Sequence, residues 1–199
     1  MFRRSTLAVL FAWSALAALP AFSQEESYRQ EVSGQAFGSF VKDTTQDGVK
    51  QKATNSGGAL ASYRYFFDRH NGVEANYGYS LNTQIYKSAG GAFGVKSYSN
   101  EATAAYVWRQ PFTRWSFFAL AGTGAIIFDA KDMHGVGYQA RPVGVYGGGI
   151  DADITSHLFV RAQYRGLIYN SPTYDLPSLA GMDRITHRFE PSAGIGWRF

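Results

Sequence analysis

Fifteen residues at the end of the chain, Ile185 to Phe199, limit what it can fold into more than any other stretch. With a period of two they put Ile185, His187, Phe189, Pro191, Ala193, Ile195, Trp197 and Phe199 on one side, and Thr186, Arg188, Glu190, Ser192, Gly194, Gly196 and Arg198 on the other. That is a β-strand with one mainly apolar face and one polar face. Its last residue is aromatic, whereas an ordinary edge strand is blunted by charge or proline.

The same alternation recurs upstream, separated by turn chemistry, which is the pattern of a transmembrane barrel. Segments are expected at about Glu31 to Val41, Gly58 to Phe67, Val73 to Asn82, Glu101 to Arg109, Trp115 to Phe128, Ala140 to Ala152 and Leu158 to Tyr169, before the final strand. Asp68 to Gly72 is expected to form a tight turn with Asn71-Gly72 at its centre, since Asn-Gly supplies positive φ angles. Polar stretches at Val41 to Ser56, Thr83 to Ser97, Asp129 to Gln139 and Asn170 to Arg184 are expected as long loops. Short and long connections then alternate along about eight antiparallel up-and-down strands. An even number lets the first and last strands pair, removing both edges. From Trp115 to Phe128 the alternation blurs and the faces are not assignable, because Trp115, Phe117 and Ile127 compete with Phe118, Leu120, Ile126 and Phe128.

The N-terminus stands apart. Arg3 and Arg4 precede an apolar run from Leu7 to Leu19, and Ala21-Phe22-Ser23 offers a small-residue cleavage site. Residues 1–23 are expected to be a signal peptide, and 24–199 a single domain. Loss of Arg3 and Arg4 takes the basic count from 19 to 17 against 15 acidic residues, a net charge of +2 that gives no argument for nucleic acid. The absence of cysteine removes disulfides and thiol chemistry.

An apolar face can point outward to lipid or inward to a soluble core. Aromatics gather toward strand ends, at Tyr65 and Phe67, Tyr106 and Trp108, and Trp197 and Phe199, where an interfacial girdle belongs. The opposite faces carry ions. With those faces inward, Arg64, Glu74, Glu101, Arg109, Asp151, Arg161, Arg165, Arg188, Glu190 and Arg198 share a bore just wide enough for side chains, and they must pair there. Hairpin register suggests Arg64 with Glu74, Asp151 with Arg161 and Arg165 with Glu190, and barrel closure suggests Arg198 with Glu31. Small inward residues, Gly78, Ser80, Gly194 and Gly196, are candidates for water-filled room.

Ser192, Gly194, Trp197 and Phe199 spell polar-x-Gly-x-x-hydrophobic-x-hydrophobic, which resembles the carboxy-terminal insertion signal of outer-membrane β-barrel proteins. Together with the leader and the alternating segments, it makes the mature chain resemble the family that includes the OmpA transmembrane domain, OmpX and the opacity proteins. The resemblance implies an all-β transmembrane barrel in a Gram-negative outer membrane. It also implies delivery by periplasmic chaperones and the barrel-assembly machinery, and it brings no shared catalytic residues.

The function expected is a non-enzymatic, monomeric, membrane-anchored scaffold for envelope integrity or surface interaction, without cofactor or metal. All six lysines, Lys42, Lys50, Lys52, Lys87, Lys96 and Lys131, fall in expected external loops. There they are candidates to contact lipopolysaccharide phosphates or acidic surface polymers, although lysines also simply prefer solvent. A small porin-like channel is the alternative. A lipid-modifying enzyme is a further one, needing Ser, His and an acid together. His187 is expected near the external end of its strand facing lipid, while Ser171 and Asp183 lie in a loop, and His70, His134 and His157 are scattered.

Overall fold

The computed structural model describes residues 28–41, 44–46, 49–53, 56–88, 91–130, 138–170 and 185–199. The expected leader, Lys42, Lys131, His134, Ser171 and Asp183 lie outside them. Among the described residues there are ten strands and no helix: β1 (Gln30–Val41), β2 (Thr44–Gln46), β3 (Val49–Ala53), β4 (Ser56–Phe66), β5 (Asn71–Ser88), β6 (Gly91–Pro111), β7 (Trp115–Ala130), β8 (Gln139–Asp153), β9 (Leu158–Asn170) and β10 (Ile185–Arg198).

Eight of these strands, β1 and β4 to β10, close into an antiparallel barrel, each pairing with its neighbours and β5 with β6. The seam between β1 and β10 runs from Glu31 opposite Arg198 to Val41 opposite Arg188. It is finished by reciprocal backbone bonds: Gln30 N–H donates to Phe199 O at 3.2 Å and Phe199 N–H to Gln30 O at 3.0 Å. Every barrel strand therefore has two partners, and no edge is left at the closure.

The alternation sets what each face meets. Val73, Tyr77, Tyr106, Trp108, Ile195 and Trp197 stand exposed on the outer wall, whereas Glu74, Asn76, Val107, Arg161 and Arg188 are buried in the bore. The Trp115 to Phe128 stretch resolves in the same way. Phe118, Leu120, Ile126 and Phe128 are buried inside, and Trp115, Phe117 and Ile127 are exposed outside. The alternation blurs in the sequence because β7 is apolar on both faces.

Two expected long loops are corrected. Val41 to Ser56 contains β2 and β3, and β3 pairs with β5 from Lys50 opposite Lys87 to Ala53 opposite Gln84. Thr83 to Ser97 is not a loop at its flanks, since β5 and β6 stay paired from Asn71 opposite Trp108 to Ser88 opposite Gly91. The barrel strands thus run on as a β-ribbon at the end away from the short turns. Polarity marked these residues as loop because a strand with no hydrophobic layer on either side has no apolar face to declare it.

The first short turn is also corrected. The bend lies at residues 67–70, and Asn71 and Gly72 already belong to β5. Asp68 organises it by accepting from the His70 and Asn71 backbone N–H groups at 2.7 and 2.8 Å. Gly72 is needed for space, because a Cβ there would meet the Tyr65 carbonyl.

Candidate functional site: the charged bore and the outer wall

The ions of the bore fall into two groups at different depths. The first lies toward the short turns. Arg161 forks onto Asp151 with Nε to Oδ1 at 2.7 Å and Nη2 to Oδ2 at 2.8 Å, and the same Nη2 reaches Glu31 at 2.9 Å. Glu31 also accepts from Arg109 at 2.8 Å and from Arg198 Nε at 2.9 Å. Arg64 pairs with Glu74, and Arg198 with Asp153. Four arginines thus face four carboxylates, and the group is neutral. The second group lies deeper, where Arg165 joins Glu101 to Glu190 and Arg188 pairs with Glu190, two charges of each sign. Arg188 adds bonds to Ser99 and Ser80, both at 3.1 Å.

All ten charged residues suggested by the sequence therefore lie in the bore. The structure brings together Arg64 with Glu74, Asp151 with Arg161, Arg165 with Glu190, and Arg198 with Glu31. Sequence reasoning missed Glu31's role as the hub of three arginines, and it left Asp153 outside the strand expected at Ala140 to Ala152. The signal for Asp153 was its position two residues beyond Asp151, which puts both on one face.

Neutral side chains link the polar wall. Ser192 donates to Gln35 Oε1 at 2.9 Å, Ser62 to Asn76 Oδ1 at 2.6 Å, and Asn76 Nδ2 to Glu74 Oε1 at 2.7 Å. These residues stand on β1, β4, β5 and β10. Strands β6 to β9 add, between their own ionic residues, a hydrophobic cluster that includes Val107, Leu120, Ile126, Phe128, Val145 and Leu167. The interior is thus ionic and apolar together. Aromatic rings join the two: the Arg64 guanidinium sits 3.8 Å over the Phe118 ring, and that of Arg109 lies 3.7 Å over Phe66.

Glycines inside the bore do not leave room for water. A Cβ at Gly78 would strike the Glu101 side chain, one at Gly196 the Phe159 ring, and one at Gly149 the Phe118 ring. Each glycine is the socket for a large side chain from across the sheet. Gly194 lies so close to the Gly34 carbonyl and Gln35 that the β1–β10 seam itself fills its space.

Within the carboxy-terminal motif, Ser192 contacts Gln35, Trp197 stacks on His157 at 5.2 Å, and Phe199 closes the backbone seam. Of the histidines weighed for an enzyme, His187 is on the outer wall, where Nε2 lies 2.6 Å from the Tyr146 hydroxyl. His70 Nδ1 lies 2.9 Å from the Arg109 carbonyl in its turn. Among the described residues no group of three or more His, Cys, Asp or Glu is placed to hold a metal. Of the six lysines, Lys50 and Lys52 are on β3, Lys87 on β5 and Lys96 on β6.

A closed eight-stranded barrel with ionic groups inside and aromatics outside is a transmembrane β-barrel of the outer-membrane type. The family described as outer membrane protein beta-barrel domain matches residues 9–199, and the chain belongs to it. No curated protein matches the chain. Among solved structures it is similar to the outer membrane protein OprG from Pseudomonas aeruginosa, with 14% identity, a TM-score of 0.61, and coverage of 88% of this chain and 99% of that one. It is also similar to Neisserial surface protein A, with 12% identity, a TM-score of 0.64, and coverage of 85% and 97%. Ail, the attachment invasion locus protein of Yersinia pestis, gives 18% identity, a TM-score of 0.50, and coverage of 87% and 100%. At these identities the likeness is one of fold.

Proposed function

We propose that this chain is a non-enzymatic, monomeric scaffold of the Gram-negative outer membrane, exported by its leader and inserted by the barrel-assembly machinery with periplasmic chaperones. In this reading its work is done by what the barrel holds outside the membrane. The observation that carries the reading is the filled bore: two neutral ion groups and a hydrophobic cluster occupy the interior, and the bore glycines seat side chains. A scaffold has no need of a lumen, while buried ion pairs of this kind hold their positions against high desolvation cost. The partners that suit it are outer-membrane lipid and lipopolysaccharide. Planar-bilayer recording on refolded protein tests the reading. Silence is expected, and a steady conductance altered by Arg165→Gln would replace it with a channel.

The channel reading has one observation of its own. The wall built from Ser33, Gln35, Ser62 and Asn76 is continuous polar surface, and the buried Gln163 amide beside it lacks a protein hydrogen-bond partner. Such a wall can be wetted where a hydrophobic one cannot. The enzyme reading has only the Tyr146–His187 pair, and hydrolysis of labelled lipid A by the refolded protein would revive it.

A further inference from the structure

Asn71-Gly72 is the one Asn-Gly pair in the chain. Asparagine is chemically labile, and most so before glycine, where no side chain hinders the closing ring. The glycine backbone nitrogen attacks the asparagine side-chain carbonyl carbon, and a C–N bond forms to close a succinimide. The side-chain nitrogen leaves as ammonia, taking with it the proton of the glycine amide. One water then opens the ring at either carbonyl, giving aspartate or isoaspartate. The chain and water supply every atom, and nothing is oxidised or reduced.

The fold dictates both residues of this labile pair. A Cβ at Gly72 would lie 2.6 Å from the Tyr65 carbonyl oxygen and 2.8 Å from the Phe66 ring, so glycine is the residue that fits. The Asn71 carboxamide is engaged at both of its polar atoms. Nδ2 donates to Asp68 Oδ1 at 3.1 Å and to Oδ2 at 2.9 Å, and Oδ1 accepts from the Tyr106 hydroxyl. These bonds tie the β4–β5 turn to the wall of β6.

The same contacts keep the reacting atoms apart. Asn71 N–H donates to Asp68 Oδ1 at 2.8 Å, and its carbonyl accepts from Phe67 N–H at 2.8 Å. Gly72 is buried in the sheet, opposite Phe66 on β4 and Val107 on β6. Ring closure requires Asn71 to leave the extended backbone of a strand and its carboxamide to swing away from Asp68 and Tyr106. In the closed barrel these bonds must break together. In the unfolded chain none of them exists.

The products do not suit the fold. Aspartate at position 71 sets a second carboxylate against Asp68 where a donor stood. Isoaspartate adds a carbon to the backbone at the first residue of β5, which moves Gly72 and all that follows out of step with β4 and β6. Glu74 is three residues on, opposite Arg64, its partner in the bore. A hairpin that cannot form its turn loses that buried pair as well.

We infer that Asn71 is a self-modification site that the closed barrel shields and the unfolded chain exposes, so that deamidation retires chains that wait too long before insertion. The wait rests on the export reading, whereas the site and its shielding do not. Scaffold and channel alike need this hairpin.

The test holds the mature chain unfolded in guanidinium chloride, or refolded in detergent micelles, in the same mildly alkaline buffer, and follows the peptide carrying residues 71 and 72 by mass spectrometry. The refolded chain is expected to deamidate at Asn71 ~10-fold more slowly or better, because the reaction waits on a local opening of the turn. Chains aged while unfolded are then transferred to micelles and separated by heat-modifiable migration. The folded band is expected to be depleted of modified Asn71, and the unfolded band enriched in it. Tyr106→Phe removes one bond of the clamp, so it should raise the rate in the barrel a few-fold and leave the rate in denaturant unchanged. Asn71→Ser has no ammonia to lose, and its refolding yield should not fall with ageing. Equal rates in barrel and denaturant overturn the shielding, and modified chains present in the folded band at their starting proportion overturn the retirement. A Ser variant whose yield falls as fast as that of wild type overturns it too. The first two measurements use the wild-type chain and decide without either variant. Bilayer recording reports on scaffold or channel separately, so a failure there leaves the site untouched.

Discussion

Arg161 grips Asp151 with two parallel hydrogen bonds of 2.7 and 2.8 Å inside the barrel, across one rung of the β8–β9 hairpin. The nine residues between them are spent on a short turn and the strand residues leading into and out of it, so local hairpin register alone brings them together. Arg64 and Glu74 repeat the same separation on the β4–β5 hairpin. Breaking a buried pair by removing one partner is costly because the other charge is left behind. Asp151→Ala is expected to lower unfolding stability by about 3 kcal/mol. Adding Arg161→Met should recover part of that loss. Urea unfolding of the refolded protein followed by tryptophan emission measures both, and a double variant no better than the single one would contradict the pairing.

Gly78 and Gly34 give opposite expectations from the same residue type. A side chain at Gly78 would push Glu101 out of the group it forms with Arg165, so Gly78→Val should destabilise by about 1 to 3 kcal/mol. An added Cβ at Gly34 meets nothing within 4 Å, so Gly34→Ala should be neutral or stabilise by about 0.5 kcal/mol. The unfolding midpoints of the two variants decide the matter.

The Asp68 carboxylate accepts from the Asn71 side chain and from the His70 and Asn71 backbone, which holds its pKa below the ordinary aspartate value. A lowered folded pKa means that its contribution to the turn is present above the unfolded value of about 4 and is lost as pH falls through the folded one. The amide resonances of His70 and Asn71 should therefore titrate below pH 4 in micelles. A midpoint at or above the ordinary value would show that the carboxylate is not engaged.

Trp108, Trp115 and Trp197 stand 41%, 42% and 48% exposed on the outer wall, and Phe118 is buried in the bore. Brominated lipid should quench each of the three tryptophans. In a background where they are replaced by phenylalanine, a tryptophan introduced by Phe118→Trp should escape quenching. Strong quenching of that inner reporter would invert the orientation of the sheet.

The sequence by itself determined the period, the order of the strands and the facing of most of them. Alternation needs only the residues of one strand and a contrast between the two environments it separates, as in Ile195 and Trp197 against Arg198. Pairs within one hairpin, such as Arg64 with Glu74, were legible for the same reason. What only the tertiary structure decided depends on residues distant in the chain meeting across the bore. Glu31, which barrel closure sets beside Arg198, also gathers Arg109 and Arg161 from two further strands, Arg165 joins Glu101 to Glu190, and β7 packs its inner face into an apolar cluster with β6, β8 and β9. The ribbon was unreadable from sequence because strands outside the membrane are held by backbone pairing, and backbone pairing leaves no pattern in the side chains.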